Sequence, residues 1–145
     1  MKRSDKAAEY FKNSFNCSQS VLVVFGQDFG LSENDCLRLG CAFGGGMGRQ
    51  QLTCGAVTGT LMALGLRFGK ASGDPDSKKQ ETYDKAREFF SEFNSIHGAS
   101  SCRKLLQDLD MNDPDDHREI ISRNLFSTHC ERYVADAVKI VEKLM

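Results

Sequence analysis

The sequence predicts an all-α fold, a single-domain helical bundle of about six to eight helices, several of them short. Three observations carry that expectation. Cap residues (Ser, Thr, Asn, Asp) recur just ahead of apolar residues spaced three and four apart. Glycines and Asp-Pro pairs fall between those stretches. Strand signal is almost absent: the run Val21–Phe25 can be read as a buried strand in isolation, but its cap and closing glycine favour helix.

Taken in order, Ser4 is placed to cap a first helix through Ala7, Ala8, Phe11 and Phe15. Asn16, with Gln19 three residues later, reads as a capping box opening a helix that stops at Gly30. Ser32 and Asp35 open a short third helix through Leu37 and Leu39, and Thr53 opens a fourth from Cys54 to Phe68, closed by Gly69. The fifth starts at Asp74-Pro75, carries Tyr83, Ala86, Phe90 and Phe93 on one stripe, and ends at Gly98. A sixth begins at Ser100 or Ser101, a seventh after Asp113-Pro114, and the last near Thr128, running through Tyr133, Ala137, Ile140 and Leu144. Residues 1–145 thus form one domain, with Cys-containing helices over 1–69, a linker over 70–74 and C-terminal helices over 75–145.

The chain of 145 residues balances 19 basic against 20 acidic residues. That near-zero charge argues against nucleic acid as the main partner, because phosphate binding needs a cationic surplus. The opening MKRSDKAAEY lacks an apolar signal core, and the longest apolar runs are far shorter than the roughly 20 residues that cross a bilayer. A cytoplasmic chain without membrane insertion is therefore expected. In a reducing compartment its six cysteines point to metal binding or thiol chemistry rather than structural bridges.

Four of the cysteines, Cys17, Cys54, Cys102 and Cys130, fall in the first turn of an expected helix. There, free amides and the positive end of the helix dipole favour a thiolate, which is both the nucleophile and the metal ligand. Cys41 heads the run Gly40-Cys41-Ala42-Phe43-Gly44-Gly45-Gly46-Met47-Gly48, where five glycines in nine residues let backbone approach a bound group closely. No Gly-Lys-Ser/Thr follows, so this is not a phosphate loop, and the glycine spacing is not that of a dinucleotide fold. Cys36 lies five residues before Cys41 on the same helix, well round its axis, and reads as core. There is no C-x-x-C.

Further candidates lie near these positions. Arg49 and Lys70 can stabilise an anionic centre, and His97 and His129 sit close to Cys102 and Cys130. Gly55, Gly59 and Ala63 share one bare helix face, suited to close helix packing, a bound group or a second copy of the chain in a homodimer. Asp108 to Glu119 spaces oxygen ligands like a calcium loop, but Asp113 stands where glycine is required, which favours an acidic turn with Asp113 capping the next helix.

The order of Cys17, then Gly40-Cys41-Ala42-Phe43-Gly44-Gly45, then Cys54 in Thr53-Cys54-Gly55-Ala56, then Cys102 resembles the small bacterial and archaeal family named for that pattern, C_GCAxxG_C_C. The resemblance implies a redox-active protein of about this length with Cys17, Cys41, Cys54 and Cys102 as its site; Cys130 is a fifth candidate on position alone. Three chemistries stay open. The thiolates can hold an iron–sulfur cluster or zinc, with Gly40, Gly44, Gly45 and Gly55 against the bound group, serving electron transfer with a redox partner protein. Pairs such as Cys17 with Cys54, or Cys41 with Cys102, can cycle between dithiol and disulfide. Otherwise the cysteines are inert core residues of an interaction module.

Overall fold

Caps and glycines set the helix ends in the computed structural model, which covers residues 1–145 and contains eight α-helices and no β-strand. They are α1 (Arg3–Lys12), α2 (Cys17–Gly26), α3 (Glu33–Cys41), α4 (Gly55–Phe68), α5 (Asp76–His97), α6 (Cys102–Leu105), α7 (Pro114–Ser122) and α8 (Glu131–Leu144). Asn16 and Gln19 form the expected capping box on α2, Ser32 accepts from the Asp35 amide, and Asp113 accepts from the Asp116 amide. Gly30 and Gly98 close their segments in the left-handed conformation.

Several boundaries differ from expectation: α1 ends at Lys12, short of Phe15, and α2 ends at Gly26, with a separate 3-10 turn over Gln27–Phe29 leading to Gly30. Lys2, not Ser4, precedes α1, and Ser4 is buried inside its first turn. Pro75 is the N-cap of α5 rather than its first residue. Thr53 does not cap α4, because it is held in an isolated antiparallel bridge with Ser101, which leaves Cys54 at the cap. The last helix begins three residues after Thr128, behind a π-helical segment over Leu125–Cys130.

Helix α2 is the axis of the main core, with every residue from Ser18 to Gly26 buried. An apolar helix of this kind has to be covered on all sides, and α1, α3, α4 and α8 supply the cover; α5 adds Phe89 and Phe93. Helix α4 approaches closely because it presents glycine: a Cβ at Gly59 would lie 2.7 Å from the Ser18 carbonyl oxygen, and one at Gly55 2.9 Å from the Ser18 nitrogen. The bare face Gly55–Gly59–Ala63 is therefore buried within the chain and offers nothing to a second copy. Gly40 serves a similar crossing of α3 on α2, where a Cβ would stand 2.9 Å from the Gln19 backbone.

A second, smaller apolar cluster gathers Cys102, Leu106, Met111, Ile120 and Leu125 under α6 and α7, and Cys130 packs against both clusters. No helix is long and apolar enough to cross a membrane.

Candidate functional site

The seam between the two clusters holds a cavity of about 610 Å³, and five of the six cysteines line it: Cys17, Cys41, Cys54, Cys102 and Cys130. Each arrives by a different route. Cys17 is the first residue of α2, Cys54 the N-cap of α4, Cys102 the first residue of α6, and Cys130 the last residue before α8. Cys41 ends α3 and is exposed at the rim. Cys36 stays apart, fully buried with its sulfur against Gly26.

The glycine run forms one wall. Gly45, Gly46, Met47, Gly48 and Arg49 all take left-handed backbone, with φ between 60° and 70°. Three glycines adopt this without penalty, whereas Met47 and Arg49 each store about 1–2 kcal/mol. Direct bonds from neighbouring segments hold the strained wall in place. Gln51 donates through Nε2 to the Leu109 carbonyl (2.8 Å) and accepts at Oε1 from the Met111 amide (2.9 Å). Asn112 donates to the Arg49 carbonyl at 2.8 Å. The acidic segment after Asp108 is thus a buttress: the Asp116 carboxylate accepts the Asp110 amide, and the Asp110 carboxylate accepts the Asn112 amide.

Along that wall the N–H groups of Gly44, Gly45 and Gly46 donate to no protein acceptor, and Gly46 is buried. Buried amides without partners are rare, and such a donor marks a place for an acceptor supplied from outside the chain. No side chain fits there: a Cβ at Gly46 would lie 2.7 Å from the Cys102 Cβ. Arg49 also lines the cavity, while no carboxylate does. Asn16 and His117 add polar groups, and much of the remaining lining is apolar or aromatic, with Phe11, Leu106, Met111, Phe126 and Tyr133.

In this setting the helix-terminus expectation for the thiols is overridden by burial. Burial pushes Cys54 up to about 12, although the Ala56 and Val57 amides pull it back towards the thiolate. Cys102 is likewise pushed up to about 12, chiefly by burial and then by Cys54 and Cys130. Cys17 stands well above its ordinary value, first through its hydrogen bond with Cys130 and then through burial. Unloaded, these sulfurs are neutral thiols, because several thiolates in one apolar cavity would repel each other and lose their hydration.

Of the expected glycines, Gly44, Gly45 and Gly55 line the cavity and Gly40 does not, being occupied in the helix crossing. Neither expected histidine reaches it. His97 packs between Phe93 and Tyr133 with Nε2 3.0 Å from Asp136, and His129 faces the Thr128 hydroxyl. Lys70 pairs with Asp76. His117, which no spacing in the sequence singled out, does line the cavity, its Nδ1 lying 3.2 Å from the Met111 carbonyl oxygen, to which it donates when that nitrogen carries the proton. No group of three or more His, Cys, Asp or Glu side chains is arranged to hold a single metal ion.

The family model described as "Putative redox-active protein (C_GCAxxG_C_C)" matches residues 15–144. An uncharacterized protein of Archaeoglobus fulgidus is 26% identical over 132 residues, covering 84% of this chain and 87% of the relative. No solved structure matches.

Proposed function

This chain belongs to the C_GCAxxG_C_C family, and from that premise we propose that the cavity is a one-electron redox site in which Cys17, Cys41, Cys54 and Cys102 hold an iron–sulfur cluster. The observation that carries the reading is the convergence on one cavity of sulfurs from α2, α3, α4 and α6, beside amides that lack any partner in the chain.

The donor set fits such a group. Thiolates are the usual ligands of iron–sulfur centres, and a cluster spreads its ligands over several metal atoms. Sulfurs ringing a cavity suit that better than they suit a single zinc ion, which needs its donors gathered on one point. When bound, the cluster would supply a reversible one-electron couple.

The chain's own groups have definable tasks in this reading. The free amides of Gly44, Gly45 and Gly46 would donate to sulfur, and Arg49 would offset the negative charge that four thiolates bring. Phe11, Leu106, Met111 and Phe126 keep water from the buried sulfurs. Cys41, exposed at the rim, lies on the side from which a redox partner protein would exchange an electron.

Purification of the full chain without oxygen, followed by a visible spectrum and assay of iron and acid-labile sulfide, tests the reading. Expected are charge-transfer absorbance and iron that Cys41→Ser reduces at least tenfold. Colourless, iron-free protein from iron-replete anaerobic cells would overturn it.

A further inference from the structure

The family pattern leaves one sulfur of the cavity without a task. Cys130 lines the cavity with Cys17, and both pack against the main apolar cluster. Cys130 is the neighbour that raises the Cys17 thiol most, and neither residue is in a disulfide.

The two residues sit on very different backbone. Cys17 is fixed at the start of α2, where the Asn16 capping box holds the first turn. Cys130 ends the π-helical segment, entered through Asn124 at φ 56° and retained by Thr128 donating to the Asn124 carbonyl. A π turn carries one residue more per hydrogen-bonded ring than an α turn, so it can return to α geometry with a modest shift of its last residues. Cys130 thus ends a segment whose geometry can readjust, and Cys17 is a thiol that shares its cavity.

We infer that Cys17 and Cys130 are a peroxide-sensitive dithiol that closes to an intramolecular disulfide and thereby unloads the site. The inference rests on the iron–sulfur reading in one respect: Cys17 is a ligand there, and a disulfide withdraws it. In the first step the Cys130 sulfur attacks a hydroperoxide oxygen; an S–O bond forms, the O–O bond breaks, and the other oxygen leaves as water or alcohol after taking the thiol proton. In the second the Cys17 sulfur attacks the Cys130 sulfenic acid; the S–S bond forms, the S–O bond breaks, and hydroxide leaves with the Cys17 proton as water. The two sulfurs give up two electrons, and the peroxide accepts them.

The test exposes anaerobically purified full-length protein to a small excess of hydrogen peroxide, alkylates the remaining thiols and maps the peptides by mass spectrometry. The expected result is loss of two of the six thiols, a peptide pair joined through Cys17 and Cys130 in most chains, and full recovery with dithiothreitol. Cys130→Ser should lower the yield of intramolecular disulfide at least tenfold. Should that variant fail to fold, the wild-type peptide map decides alone. Cys17 joined to any other cysteine, or Cys130 fully alkylated after peroxide, overturns the inference. Iron-free wild-type protein that still forms the Cys17–Cys130 link sinks the cluster reading and leaves the pair standing; iron-loaded protein that loses its iron without forming the link does the reverse.

Discussion

Cys54 and Cys102 stand on the same face of the chain's one β-bridge, between Thr53 and Ser101. The Cys54 amide donates to the Ser100 carbonyl at 2.8 Å, and the Cys102 amide donates to the Leu52 carbonyl at 2.6 Å. In antiparallel pairing, residues one step beyond each bridge partner lie diagonally across from one another, with side chains about 7–8 Å apart or less. Two sulfurs separated by about a third of an all-α chain are thus brought together by a scrap of sheet geometry.

The first prediction separates the cavity cysteines from the remaining one. Cys54→Ser and Cys102→Ser should each lower iron per chain at least tenfold, measured after anaerobic purification. Cys36→Ser should leave iron unchanged, because that sulfur lies in the core against Gly26. Its cost should appear as about 1–3 kcal/mol of stability, from a hydroxyl buried without a partner.

Two glycine variants test whether the wall needs bare backbone or only left-handed backbone. Gly48 has open space where a Cβ would go and φ of 60°, so Gly48→Ala should cost about 1 kcal/mol and keep the iron. At Gly46 the added Cβ would meet the Cys102 Cβ and the Gln51 Cα at 2.7 Å, with φ of 70°. Gly46→Ala should abolish loading while circular dichroism still reports native helix content.

Gln51 supports that wall from behind. Its side-chain amide satisfies both the Leu109 carbonyl and the Met111 amide, and the residue itself is only 4% exposed. Gln51→Ala would leave two backbone groups without partners, at a cost of about 1–3 kcal/mol. Loaded protein should then shed iron to a chelator several-fold faster than wild type. Unchanged release kinetics would show that the wall holds itself.

The helices were readable because their information is local: the Asn16–Gln19 box, the Ser32 cap and the Asp113-Pro114 start each act within four residues. The gathering of Cys17, Cys41, Cys54 and Cys102 at one cavity was indicated by the family pattern, not by periodicity. What stayed hidden depends on partners far along the chain. Gln51 meets Leu109 and Met111 across a gap that no spacing rule spans, and His117 reaches the cavity through the turn that this contact fixes. Thr53 looked like a helix cap because its side chain has the right chemistry, but pairing with Ser101 took its backbone elsewhere. Gly40 looked like a site glycine because it precedes Cys41, yet the Gln19 backbone fills the space beside it.

The raised thiols predict opposite pH responses for the empty and the loading chain. In the empty fold Cys54 and Cys102 are pushed up to about 12, chiefly by burial, and Cys17 is raised by Cys130 and burial. Their ordinary values are near 9. Below that pH both folded and unfolded chains keep these protons, and stability is unaffected by them. Above it only the unfolded chain releases them, so stability should fall between roughly pH 9 and 12, by up to about 1.4 kcal/mol per pH unit for each thiol. Urea titrations of metal-free protein at pH 8 and pH 10 would measure the loss, and Cys102→Ser should lessen it. Loading runs the other way, because each sulfur must surrender its proton to bind. Between pH 7 and 9 the apparent affinity for the metal should rise, up to tenfold per unit for each proton released. Loading that is flat across this range would mean that the sulfurs do not bind as thiolates, which the one-electron reading requires.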